Sequence, residues 1–197
     1  MSRRRVRPAA LAAALAVSAG TGLLGWRAAA GAGTPPAVTT LAVLDQHVAY
    51  EAGLIRSALP RLPAPAAGPA DQAATLLSSL GVRLDASLRR AGYPAARARA
   101  LWAAAVGDGA PPPSRVLLYV CSVHALESDG TALAATPAAS LGEELSGIEL
   151  TLLVEGRQLA AQLGGPLGAA TDAAQREALH VLAGLLVPSD RAFARSA

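Results

Sequence analysis

The chain of 197 residues has one cysteine, one phenylalanine, three histidines and no lysine, and only 16% of it is charged. Each scarcity excludes something. A lone cysteine cannot form an intramolecular disulfide, so the core rests on apolar packing alone. Cys121, within VLLYVCSVHAL, reads as a small buried hydrophobe, with metal ligation or an intermolecular bridge as the alternatives. Aromatics at 3% are too few to build stacking platforms for single strands or sugars. The chain contains no H-E-x-x-H, G-x-S-x-G, Walker-type or G-x-G-x-x-G pattern, which removes the enzyme classes those motifs mark. All 17 basic residues are arginine, a bias with no functional reading.

The basic balance is misleading in the same way. The net charge of +3 and pI of about 9.7 suggest an anionic partner. However, residues 1–33 hold Arg3, Arg4, Arg5, Arg7 and Arg27 and no acid. The remaining 12 arginines face 14 acids, so nucleic acid is not an expected partner. Charge is uneven beyond residue 33. Residues 56–99 carry seven arginines against Asp71 and Asp85, and residues 108–177 carry nine acids against three arginines.

Residues 1–33 read as an export signal, with an arginine-rich start, an apolar run from Ala9 to Trp26 and an A-x-A site near Ala28–Ala32. Ser2-Arg3-Arg4-Arg5-Val6 resembles a twin-arginine signal, though Val6 and Arg7 stand where two hydrophobic residues are usual. The run is long enough to serve instead as an uncleaved anchor. The expected organisation is a signal over 1–33, a helical domain over 34–187 and a tail over 188–197, placed outside the cell or in its envelope.

Hydropathy, at 52% hydrophobic residues, supports one domain with a sizeable core. The organising stretch is Thr136–Gly164. Leu141, Leu145, Ile148, Leu152, Leu159 and Leu163 step by three and four along about seven helical turns. One step is missing, and Glu155 stands in its place. Thr136 before Pro137 predicts the start, and Gly164-Gly165-Pro166 the stop. An equally periodic first helix runs from a Thr34 cap through Val38, Leu41, Leu44, Val48, Ala52, Ile55 and Leu59. PRLPAPAAGPA (60–70) is read as a connector. A second helix spans Asp71–Ala91, with Leu76, Leu77, Leu80, Leu84 and Leu88 inward, and Gly92-Tyr93-Pro94 separates it from a shorter third carrying Leu101, Trp102 and Val106. GDGAPPP (107–113) breaks the chain. Ser114–Ser128 has strand-like valines but no strand partner, so it is read as a fourth helix. After DGTALAA and the long fifth helix, GGPLGAAT leads to a sixth capped by Asp172 and ending at Pro188. The expected fold is an all-α bundle of five to six helices.

Each histidine has a glutamate one helical turn away: His47 with Glu51, His124 with Glu127, and His180 with Glu177. Residues three or four apart share a helix face, so each pair can present both side chains to one point. Glu51 and Glu155 fall on or beside apolar stripes, where an unpaired acid is costly. The levels of His47/Glu51, Glu149/Glu155 and Glu177/His180 coincide if neighbouring helices are antiparallel. This arrangement resembles the carboxylate–histidine chemistry of ferritin-like bundles, carried by Glu177-Ala-Leu-His180. His47 and His124 precede their acids, so the resemblance is partial. It implies a metal site of His47, Glu51, Glu155, Glu177 and His180, with iron or another transition metal and an oxidoreductase or storage role. Cys121, His124 and Glu127 offer a softer copper- or zinc-like variant. The bland counterpart is ordinary His–Glu neighbours at the edges of amphipathic helices. On that reading the chain is a non-catalytic binding or structural module of the envelope. Its partner is an envelope protein or ligand, and membrane contact is confined to an uncleaved N-terminal segment.

Overall fold

Proline and glycine set the ends of the helices, though not always where the sequence pattern puts them. The computed structural model describes residues 35–106 and 123–185. The leader, Thr34, the 107–113 break, Cys121, most of Ser114–Ser128 and the 188–197 tail lie outside these residues; the cap of the first helix is Pro35, not Thr34. So do the side chains of His124 and Glu127. Six α-helices follow in order: α1 (Pro36–Ala58), α2 (Ala64–Arg90), α3 (Ala95–Val106), α4 (Val123–Ala135), α5 (Ala138–Leu163) and α6 (Gly165–Leu182). A single 3₁₀ turn, Leu59–Arg61, joins α1 to α2. No strand occurs among the described residues, and none of their helices is long and apolar enough to cross a membrane.

The helices form an all-α bundle of two hairpins. α1 packs on α2, α5 on α6, α2 on α6 and α1 on α5, which closes a four-helix ring. Short connections make each hairpin antiparallel. α3 lies against α1, and α4 bridges α1 and α5. One apolar cluster runs through the whole, with Leu44, Ile55, Leu77, Leu84, Leu145, Leu152 and Leu182 among its fully buried members. Leu41, Ala42, Val43 and Leu44 are consecutive and all buried, so α1 is enclosed on several sides. It is α1, as much as α5, that organises the fold.

Several boundaries differ from the sequence reading. The connector 60–70 is mostly helix, because α2 starts at Ala64 with Pro63 as its extended cap and Pro65 in the first turn. Proline is tolerated there because first-turn amides have no intrahelical acceptor. Pro69 lies inside the helix, and the carbonyl it leaves without a helical donor belongs to Pro65, an exposed residue. α4 continues through Gly130 to Ala135 instead of stopping at Ser128. Buried Leu133 anchors that extension, as does Arg61, which donates to the Leu133 and Thr136 carbonyls at 2.8 and 2.5 Å. Thr136 is therefore no cap. Its Oγ1 turns back to the Ala132 carbonyl, and Pro137 occupies the cap position of α5.

The largest shift concerns α6, which starts at Gly165 and not at Asp172. Gly164 and Gly165 have φ of +64° and +61°, so two residues suffice to reverse the chain. Close packing follows at once. A Cβ on Gly168 would lie 2.5 Å from the Ala160 carbonyl oxygen, so only glycine fits against α5 there. Asp172, freed from capping, pairs with Arg157 and Arg176, each at 2.8 Å.

Candidate functional site

A polar layer crosses the apolar interior where the two hairpins meet. α1 brings His47 and Glu51, four residues apart and on one face. Val48, Ala52 and Ile55 flank them in the same inward stripe, so the pair is buried by helix periodicity. α5 contributes Glu149 and Glu155, and α6 contributes Gln175; all are fully buried, as is Glu51, while His47 is 2% exposed.

The contacts run between hairpins. His47 Nε2–H donates to the Leu152 carbonyl of α5 at 2.8 Å, with Glu51 Oε1 3.6 Å from the same nitrogen. Gln175 Nε2 donates to Glu51 Oε2 at 3.0 Å. α1 is thus tied to both helices of the opposite hairpin by side chains that have no solvent alternative. The reach of Gln175 depends on Gly156, since a Cβ there would lie 2.6 Å from its amide nitrogen.

Electrostatics follows from the absence of a cationic side chain among these contacts. Burial pushes the Glu51 carboxyl up to about 8, opposed only in part by the Gln175 hydrogen bond. Glu149 is pushed up by burial, and further by Glu51 and Asp129. Burial holds His47 down at about 4, against the pull of the Leu152 carbonyl, so the imidazole is neutral. At the layer's edge Tyr50 OH approaches half-buried Asp129 at 3.5 Å. Burial and nearby Glu144 raise Asp129 to about 6, against that contact with Tyr50. Tyr50 itself is held protonated by burial, Asp129 and Glu149.

The structure divides the residues that the sequence grouped. His47, Glu51 and Glu155 are interior, but Glu177 and His180 are exposed. Gln175, Ala178, Leu179 and Leu182 form the inward stripe of α6, and positions 177 and 180 fall on its opposite side. The five therefore do not converge. Glu155 is also separated from Glu149 by six residues, about 120° around the helix, so the two acids leave α5 in different directions. Among the described residues, no three His, Cys, Asp or Glu side chains gather closely enough to hold a metal ion. α2 adds nothing polar: its buried residues are Ala66, Ala70, Ala73, Ala74, Leu77, Leu80, Leu84 and Leu88. The four-sided carboxylate–histidine arrangement of a ferritin-like centre needs ligands from that helix.

Two members of the layer lie outside the residues grouped as a candidate site, although the sequence pattern puts Glu149 at the level of His47 and Glu51. Glu149 is the inward residue at a step assigned to Ile148, which is only partly buried. Gln175 carries no charge to draw notice, yet it stands one step before Leu179 in the apolar stripe of α6. An amide in that position was the available signal. Against known proteins the chain stands apart: no family model, no curated protein and no solved structure matches it.

Proposed function

We propose that this chain is an exported, non-catalytic helical module of the cell envelope that docks an acidic partner through its arginine-rich outer surface. The observation that carries the reading is the distribution of charge on α2 and α3. Arg83, Arg89, Arg90, Arg97 and Arg99 are all exposed, against two acids on these helices, exposed Asp71 and half-buried Asp85. Among the described residues Arg89 pairs with Asp85, at 2.6 Å, and that pair is too exposed to neutralise the surface. Arg97 lies over the Tyr93 ring, 4.3 Å from its centroid, which fixes one guanidinium in place. Val82, exposed to 71%, is a large apolar side chain on this same outer surface. Arginine with exposed apolar area is the composition of a docking surface.

The interior supports the same reading. His47 and Gln175 spend their donors on Leu152 and Glu51, which fixes how the hairpins pack. Buried polar groups that tie elements together specify one arrangement at some cost in stability. The leader-like residues 1–33 support export.

The test is fractionation of the full chain expressed in a cell with an envelope, washed with rising salt. A variant with all five arginines changed to serine should leave the envelope fraction at lower salt than the parent. Equal release of the two proteins would remove this surface from the account. A full-length parent confined to the cytosol would count against export.

A further inference from the structure

The exposed arginines of α2 and α3 gather at one end of the bundle. α1 and α2 are antiparallel, and a Cβ on Gly81 of α2 would lie 3.9 Å from Val48 Cγ1 of α1, which sets their register. Counted outward from that contact at about 1.5 Å per residue, Pro36 and Arg90 come within about 5 Å of one level. Arg83, Arg89 and Arg90 therefore lie toward the end where the chain enters α1. The turn at Gly92, with φ of +83°, starts α3 at that same end and adds Arg97 and Arg99. The opposite end differs. A Cβ on Gly142 would lie 3.5 Å from Ala66 Cβ, so the first turns of α5 sit beside those of α2. Exposed Asp71, Glu143 and Glu144 belong to that half. Of its arginines, Arg61 is spent on the Leu133 and Thr136 carbonyls, and Arg56 is outnumbered by these acids.

The arginine surface also has little relief. Val82 and Arg89 are two turns apart on one row of α2, and Arg83 and Arg90 on the next. Around them Ala91, Ala95, Ala96 and Ala100 are open to solvent. Val82 is the large apolar side chain exposed among the described residues. A protein partner draws most of its binding energy from large anchors seated in pockets. A sheet of phosphates needs none, because guanidinium groups grip phosphate oxygens while their stems lie along the surface. Residues 1–33 supply a second reason. Their apolar run, Ala9–Trp26, joins the bundle at the arginine end, so an export signal or anchor engaged with a membrane brings this end to it. We propose, on the basis of the docking surface described above, that its acidic partner is the anionic phospholipid of a membrane, met by Arg83, Arg89, Arg90, Arg97 and Arg99.

The experiment labels the full chain with phenylglyoxal, which modifies accessible arginines, and reads each arginine by mass spectrometry as vesicles are titrated in. Vesicles of phosphatidylglycerol and phosphatidylcholine should slow labelling of the five arginines and leave Arg56 as it is in buffer. Vesicles of phosphatidylcholine alone, or soluble glycerol phosphate at matched phosphate, should slow none of them. Arg90→Ser should raise the lipid concentration for half-protection of the other four about fivefold, the share of one basic side chain at an anionic surface. Arg56→Ser should not shift it. Circular dichroism checks that each variant is folded, and should Arg90→Ser not fold, Arg99→Ser takes its place. Equal labelling with both kinds of vesicle would overturn the proposal. So would equal protection of Arg56, or an equal effect of glycerol phosphate. In those cases the variant lacking all five arginines separates the two failures. If it still leaves the envelope at lower salt than the parent, the partner is an acidic protein and the docking surface stands; if it does not, the surface fails with the lipid.

Discussion

Gly156→Ala isolates the tie between the hairpins better than any change to a charged residue. Alanine in place of glycine within a helix ordinarily stabilises by about 1 kcal/mol. At position 156 the added methyl would sit 2.6 Å from Gln175 Nε2 and 2.9 Å from its Cδ, so the amide has to move. Moving it removes the 3.0 Å bond to Glu51 Oε2 and leaves both groups buried without that partner. A buried polar group so stranded costs about 1–3 kcal/mol. Gly147, in the same helix, has nothing within 4 Å of where its Cβ would be. Gly147→Ala should therefore stabilise, and the two substitutions should differ by roughly 1–3 kcal/mol, because the helix-propensity gain is common to both. Urea unfolding of the full chain, compared at constant m-value, measures that gap. The background Gln175→Ala gives the decisive control, since with the amide gone Gly156→Ala should lose its penalty. If Gly156→Ala stabilises the parent as Gly147→Ala does, Gln175 is not held where the structure places it.

Further outcomes follow from the same geometry. Gly168→Ala sets a methyl 2.5 Å from a backbone carbonyl that cannot rotate away, so it should destabilise by about 1–3 kcal/mol with no rescuing background, as chemical denaturation will show. A carboxyl raised on folding holds its proton when the unfolded chain has lost it, so stability conferred below its ordinary pKa is lost as pH rises. For Glu51 that window runs from 4.5 to about 8, at about 1.4 kcal/mol per pH unit. His47, lowered from 6.5 to about 4, acts in the opposite sense and adds stability as pH rises between those values. Melting temperature should therefore fall most plainly between pH 6.5 and 8, and Glu51→Gln should flatten that part of the profile. Glu177→Gln and His180→Ala, both at exposed positions, should change stability by less than about 0.5 kcal/mol.

The fold was legible wherever apolar residues recur at helical spacing. The stripe Leu41–Leu44–Val48–Ala52–Ile55 predicted α1 and its buried face, and Leu77–Leu80–Leu84–Leu88 did so for α2. Glu155, read as an acid in a leucine position, is indeed fully buried. Boundaries were less legible because proline and glycine act by position. Pro65 and Pro166 start helices, whereas the sequence pattern took the stretches around them as breaks. The site was half legible. His47 and Glu51 share one helix, so spacing alone sets their common face. Glu177 and His180 share a face too, but local spacing does not say whether that face looks inward. Only the packing of α6 against α2 and α5 decides it. Gln175 meets Glu51 across 124 residues of sequence, and no local pattern records such a meeting.

Glu51 and Glu149 are enclosed carboxyls for which no ion pair with an arginine is found among the described residues. Carbon-13 NMR of the full chain labelled at its glutamate carboxyls, titrated from pH 3 to 9 in chelator, measures this directly. The account predicts two signals that titrate well above 4.5, with the one assigned to Glu51 near 8, and each disappearing in its own variant, Glu51→Gln or Glu149→Gln. Titration of every glutamate near 4.5 would contradict it.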